Sequence, residues 1–157
     1  MPTRLTDEEI GRLVAERKPL PRDYEQRFQM KPKRGHKERE LAVKGETGSD
    51  FRLILRQSDL NPLDFSAILA YQPPNTNEVF RLRRYNGKHG EHTNKLEHQR
   101  FFDFHIHLAT QRYQDAGFDE DAYAEPTGRY ADLDRAARCL IEDCAFEAEP
   151  DPQLRFF

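Results

Sequence analysis

Phe101-Phe102-Asp103-Phe104-His105-Ile106-His107-Leu108 alternates apolar and polar side chains almost throughout. At a period of two it sets Phe102, Phe104, Ile106 and Leu108 on one face of a β-strand and Asp103, His105 and His107 on the other. A strand of this kind is half-buried, with its second face turned to water or to a ligand. An acid and two imidazoles spaced two apart project into one small patch, and that patch decides what can be asked about function.

The same alternation recurs upstream. Leu41 and Val43 are followed by the turn Gly45-Glu46-Thr47-Gly48-Ser49-Asp50, and Phe51, Leu53 and Leu55 then alternate with Arg52, Ile54 and Arg56. Asn61-Pro62 and Pro73-Pro74-Asn75-Thr76-Asn77 are turns on either side of 65–71, an apolar run suited to a central strand. Phe80 and Leu82 alternate with Arg81, Arg83 and Tyr85, and Asn86-Gly87 is a hairpin signal. Residues 88–100 read as a polar loop. Short links between consecutive strands predict an α+β fold, with an antiparallel meander of about five strands and helices packed on one face.

The helices carry their own signals. Thr6 and Glu9 fit a capping box, Leu5 and Ile10 the accompanying staple, and Pro19 and Pro21 stop the element. Residues 109–116 form a short helix ended by Gly117. Asp132 caps a third helix, with Leu133, Ala136, Ala137, Leu140, Ile141 and Cys144 as its packing stripe. One domain spanning 1–157 follows: a helix at 6–17, a basic loop or arm at 22–38, sheet and helices at 39–146, and an acidic tail at 147–157. Leu53, Leu55, Phe80, Leu82, Phe104, Ile106 and Leu140 are the expected core.

Composition narrows the partners. The net charge of −3 divides into 21 basic against 16 acidic residues up to Gln114, and 4 against 12 from Asp115 onward. A basic body with an acidic C-terminal part can bind an anion on one face, or the acidic part is simply a solvated surface. No apolar run reaches the roughly 18 residues of a membrane span, so no membrane partner is expected. The polar, acidic start is unlike a signal peptide. Cys139 and Cys144 fall some 140° apart on a helix, which suits neither a disulfide nor a shared metal. A reduced, cytoplasmic protein is the expectation.

In the predicted register Arg52, Arg56, Arg81 and Arg83 share a face with Asp103, His105 and His107, and Arg84 and Lys88 lie beside it. Arginine presents a rigid fork of donors that fits phosphate oxygens and stacks on bases. The face is therefore a candidate site for RNA or another polyanion, aided by the basic segment 31–37. The alternative is an ordinary wet face of cross-strand Arg–carboxylate pairs. The histidines have three readings. They are an acid–base pair of a metal-independent endoribonuclease, with Arg83 and His92 assisting. Or they belong to a His-x-His divalent-metal protein, completed by Asp103, His89, His92 or His98. Or they are plain surface groups. No phosphate-binding glycine loop, nucleophile elbow or Cys-His zinc spacing is present, so no cofactor or metal is assigned from motifs. A protein-interaction module without catalysis is the rival from another class.

Several segments, Phe51-Arg-Leu-Ile-Leu-Arg-Gln-Ser58, Asn61-Pro-Leu-Asp-Phe65, Phe80-Arg-Leu-Arg-Arg-Tyr-Asn-Gly87, His92-Thr-Asn94, Asp103-Phe-His-Ile-His107, Tyr123-Ala-Glu-Pro-Thr127 and Cys139-Leu-Ile-Glu-Asp-Cys144, resemble an uncharacterised family of small bacterial proteins. The resemblance implies a bacterial source and no particular chemistry. A small sheet bearing His and Arg is also similar in architecture to bacterial endoribonuclease toxins, an analogy of fold alone.

Overall fold

Residues 3–148 are described by the computed structural model, and the first element starts where its capping box stands. In α1 (Asp7–Ala15) the Thr6 hydroxyl accepts the Glu9 N–H at 3.1 Å, and the Glu9 carboxylate accepts the Thr6 N–H at 3.0 Å. That exchange satisfies donors that a helix start otherwise leaves open. Ile10 and Val14, one turn apart, are buried on its inner face. The helix end is held by β1 (Lys18–Pro19). The fully buried Lys18 ammonium lies 2.9 Å from the carbonyls of Leu13 and Val14, 2.8 Å from that of Glu16 and 2.7 Å from that of Cys144.

A 3-10 turn (Tyr24–Arg27) leads into β2 (Gln29–Lys33), β3 (His36–Lys44), β4 (Asp50–Ser58), β5 (Phe65–Gln72) and β6 (Phe80–Asn86). After β6 come β7 (His92–Asn94), β8 (Gln99–Phe101), β9 (His105–Leu108), α2 (Gln111–Asp115), β10 (Ala124–Pro126), α3 (Leu133–Asp143) and β11 (Phe146–Glu147). Seven strands form one antiparallel sheet in the order β10-β9-β6-β5-β4-β3-β2. The meander is thus longer than the five strands expected, with β2 added at one edge and β10 at the other. β7 and β8 pair only with each other, and β1 runs parallel to β11.

Two segments read as loops are structured. Much of the basic stretch 22–38 is the hairpin of β2 and β3 rather than an arm, and 88–100 holds β7 and most of β8, which pair as a second hairpin. Asn86-Gly87 ends β6 without making a two-residue hairpin. Of the acidic tail 147–157, Glu147 lies in β11 and Ala148 packs against the core; the rest lies outside the described residues.

Phe51, Leu53, Leu55, Ala67, Leu69, Phe80, Leu82 and Tyr85 form the buried face, closed by α3 through Leu133, Ala136, Ala137 and Leu140. Full burial of a large apolar side chain is worth about 1.5–3 kcal/mol, so this face carries most of the fold's stability. Phe104 and Ile106 are partly buried against it, as the alternation of β9 requires, whereas Phe102 lies before the strand and is exposed. The Asp132 carboxylate caps α3 by accepting the Arg135 N–H at 2.8 Å. Gly117, at φ 85°, takes the left-handed position just past α2. Both cysteines are free. Among the described residues no helix is long and apolar enough to cross a membrane.

One irregularity redirects the polar face. Leu69 pairs with Arg83 and Ala70 with Arg81, so Leu82 is an extra residue in β6. Past this bulge the alternation is inverted: Arg83 and Tyr85 share the face of the buried Leu69 and Ala67, and Arg84 turns to the other side. Arg83 therefore does not join Arg52, Arg56 and Arg81, and Tyr85 is wholly buried.

Candidate metal centre

β9 sits between β6 and β10, so His105 is flanked by Asn86 and Pro126, and His107 by Arg84 and Ala124. Both imidazoles project from the face opposite α3. Both are nevertheless buried, at 6% and 4% exposure, because the β7–β8 hairpin folds over them. His92 from β7 stacks on His105 with ring centroids 5.3 Å apart and meets His107 edge-on at 4.9 Å. Phe101 from β8 closes the side, 5.3 Å from His92 and 5.6 Å from His105.

The hairpin is fastened at two points beside its turn. The buried Asn94 carboxamide donates to the Ala124 carbonyl at 2.7 Å and accepts the Ala124 N–H at 2.9 Å. It thereby extends the pairing of edge strand β10 with a side chain. Within the turn the Leu96 N–H donates to the Tyr113 hydroxyl at 3.2 Å, and Glu97 accepts from Tyr113 and Arg112.

Hydrogen bonding to oxygen fixes which nitrogen of each ring carries the proton. His105 Nδ1 lies 2.8 Å from the Asp103 carbonyl, and His107 Nδ1 lies 2.7 Å from the Asp121 carbonyl. A carbonyl only accepts, so both Nδ1 atoms carry the proton and both Nε2 atoms keep a lone pair. Asn94 is oriented by its two bonds to Ala124, so the atom 2.7 Å from His92 Nε2 is its oxygen. His92 Nε2 is then the donor, and Nδ1 holds the lone pair.

One ring nitrogen from each of His92, His105 and His107 lies within 4.8 Å of the others. Ligands of a tetrahedral zinc at 2.0–2.1 Å are about 3.3 Å apart, so closure on an ion asks for a contraction of at most about 1.5 Å. Burial, with Arg84 and His105 adding to it, pushes His107 down to about 2. His105 is lowered in the same direction, mainly by burial. Neutral imidazole is the form that ligates a metal.

Arg84 borders the cluster, its Nη2 3.4 Å from His107 Nε2. Its Nε lies 3.2 Å from Asp121 Oδ2 without hydrogen-bond alignment, and Arg81 Nη2 lies 3.3 Å from Asp121 Oδ1. Asp121, only 2% exposed, thus orients His107 through its carbonyl and Arg84 through its carboxylate.

The other expected site residues fall elsewhere. Arg83, on the helix-facing side, points Nη1 at the Tyr85 hydroxyl at 3.4 Å, and that hydroxyl donates to Asp143 at 2.5 Å. Arg52 pairs with Glu40 at 2.7 Å, Arg56 with Asp64 at 3.0 Å, and Arg81 with Glu120 at 3.4 Å. Lys88 is exposed, and His89 approaches Asp64 at 3.4 Å. Asp103 serves through its carbonyl while its side chain faces solvent. Sequence reading missed Asn94 and Asp121. The spacing His92-Thr-Asn94 repeats the His-x-polar period of β9 and was the one available signal for Asn94. No family model, curated protein or solved structure matches the chain.

Proposed function

We propose that the chain is a metalloprotein holding one divalent transition metal, zinc by ligand chemistry, through His92 Nδ1, His105 Nε2 and His107 Nε2. One observation carries this reading: each of the three clustered imidazoles has one ring nitrogen committed to an oxygen acceptor, which leaves the second for a metal. That outer layer is what fixes tautomer and ring direction in histidine metal sites. Surface histidines have no need of it.

Among the described residues the cluster contains three ligands, one fewer than the four of a closed structural zinc site. The fourth position then belongs to water or to a bound molecule, the arrangement of centres that act on a substrate. A zinc-bound water ionises near neutrality, which gives such a centre a nucleophile without help from a charged histidine.

This reading is preferred to the metal-independent ribonuclease for a chemical reason. An acid–base pair needs one imidazole protonated near neutrality, and His107 is held far below that range. Polyanion binding by the arginine face is likewise weakened, because Arg52, Arg56 and Arg81 are paired with carboxylates of the same chain.

The test is the metal content of the purified full-length protein, by elemental mass spectrometry after dialysis against zinc. About one equivalent is expected in the wild type, and much less in His105→Ala and His107→Ala. Sub-stoichiometric metal in a folded wild-type protein overturns the proposal.

A further inference from the structure

We infer that the open position of this centre takes a phosphoryl oxyanion, a phosphate monoester in preference to a diester, with Arg84 as the residue that binds it beside the metal. The inference rests on the proposed three-histidine centre and adds the class of its ligand.

Arg84 is tied to that centre by a single weak contact. Its Nη2 reaches His107 Nε2 at 3.4 Å, and Nε2 is the lone pair assigned to the metal. An ion on Nε2 removes the acceptor, and it places the guanidinium no more than about 5.5 Å from the metal. An oxygen bound to the metal falls within hydrogen-bond reach of such a group, and a tetrahedral oxyanion can bridge the two. The fork of arginine donors matches two oxygens of one phosphoryl group.

Arg84 is held in place without being used up. Asp121 faces its Nε at 3.2 Å but out of alignment, and the same carboxylate is shared with Arg81. Its side chain is 27% exposed, so a ligand entering from solvent can meet it. Imidazoles that ligate a metal do so as neutral groups and add no charge to the site. A divalent ion with the Arg84 and Arg81 cations, set against the Asp121 and Glu120 carboxylates, leaves an excess of two positive charges, which a monoester dianion cancels and a diester monoanion does not. An uncharged substrate would leave the guanidinium crowded against the ion with nothing between them.

The experiment uses the full chain loaded with cobalt(II), whose visible absorption reports the coordination of the ion. Inorganic phosphate, a nucleoside 5′-monophosphate and a dinucleoside phosphodiester are titrated in turn, with chloride at matched ionic strength as the reference. Saturable spectral changes are expected with phosphate and the monoester, at lower concentration than with the diester. Arg84→Gln should bind cobalt but weaken phosphate about 10- to 100-fold, the worth of one charged hydrogen-bond partner, and Arg84→Lys should recover part of that loss. Should Arg84→Gln fail to fold, the wild-type titration and Arg84→Lys decide the matter. Cobalt bound in the wild type with no response to phosphate overturns this inference and leaves the metal centre standing; failure to bind cobalt overturns the centre itself. Equal phosphate affinity in wild type and Arg84→Gln removes Arg84 from the site, and tighter diester binding overturns the monoester assignment.

Discussion

Asn94 and Ala124 are joined by two hydrogen bonds, the carboxamide of one serving both the N–H and the carbonyl of the other. The same carboxamide oxygen receives the His92 ring N–H at 2.7 Å. One side chain thus fastens the β7–β8 hairpin to the sheet edge and sets the tautomer of His92, which the hairpin brings to the cluster. Asn94→Ala should lower zinc affinity about 10- to 100-fold, the usual effect of removing a group that orients a ligand. It should also cost about 1–3 kcal/mol in urea unfolding, because the Ala124 backbone is left buried without partners. Zinc titration and denaturation of the one variant read both effects.

Metal removal should loosen the hairpin rather than the sheet. Ring contacts to β9 and latches to Ala124 and α2 hold the hairpin, with the ion of the proposed centre as the remaining link, whereas the core face of the sheet is closed independently by α3. Hydrogen exchange in 92–101 should quicken on chelation while β4 and β5 remain protected. Equal protection with and without chelator would mean that no ion bridges hairpin and sheet.

Lys18 gives a pH dependence separate from the site. Burial, opposed by Cys144 and Glu16, pulls its pKa from 10.5 down to about 8. Between those values the unfolded chain holds the Lys18 proton and the folded chain has released it. Stability therefore rises with pH across that window, and the penalty of burying the cation is carried in full below about 8. Unfolding of the wild type and Lys18→Met from pH 7.5 to 10 should show a shallower rise in the variant. Parallel curves would assign the slope to other groups.

Gly87 is needed for a close approach. A Cβ there would stand 1.9 Å from the Leu63 carbonyl oxygen, while the Gly87 and Lys88 N–H groups already bond to Phe65 and Leu63 at 2.9 and 2.8 Å. Gly87→Ala should destabilise by about 1–3 kcal/mol, as overpacking does. A thermal melt within a degree of wild type would contradict this.

Much of the fold was legible because its signals are local. Thr6, Glu9 and Asp132 sit where caps are needed, and β4 alternates cleanly. The β2–β3 hairpin was read as an arm because Lys31, Pro32 and Lys33 are edge-strand residues, and the composition that keeps an edge from pairing with other chains also resembles a loop. The bulge at Leu82 leaves no mark in a run of arginines, so Arg83 and Tyr85 were put on the wrong face. His105 and His107 were found, but their burial depends on a hairpin 88–100 whose polar residues make sense only against β9 and β10. Asn94 and Asp121 act through partners distant in sequence, and pattern reading along the chain does not reach them.

X-ray absorption spectroscopy of the zinc-loaded protein tests the central claim most directly. The account predicts one zinc with three imidazole nitrogens and one oxygen at about 2.0–2.1 Å, and loss of that shell in His92→Ala. A shell of oxygen ligands alone, or the same three-nitrogen shell retained in His92→Ala, would contradict it.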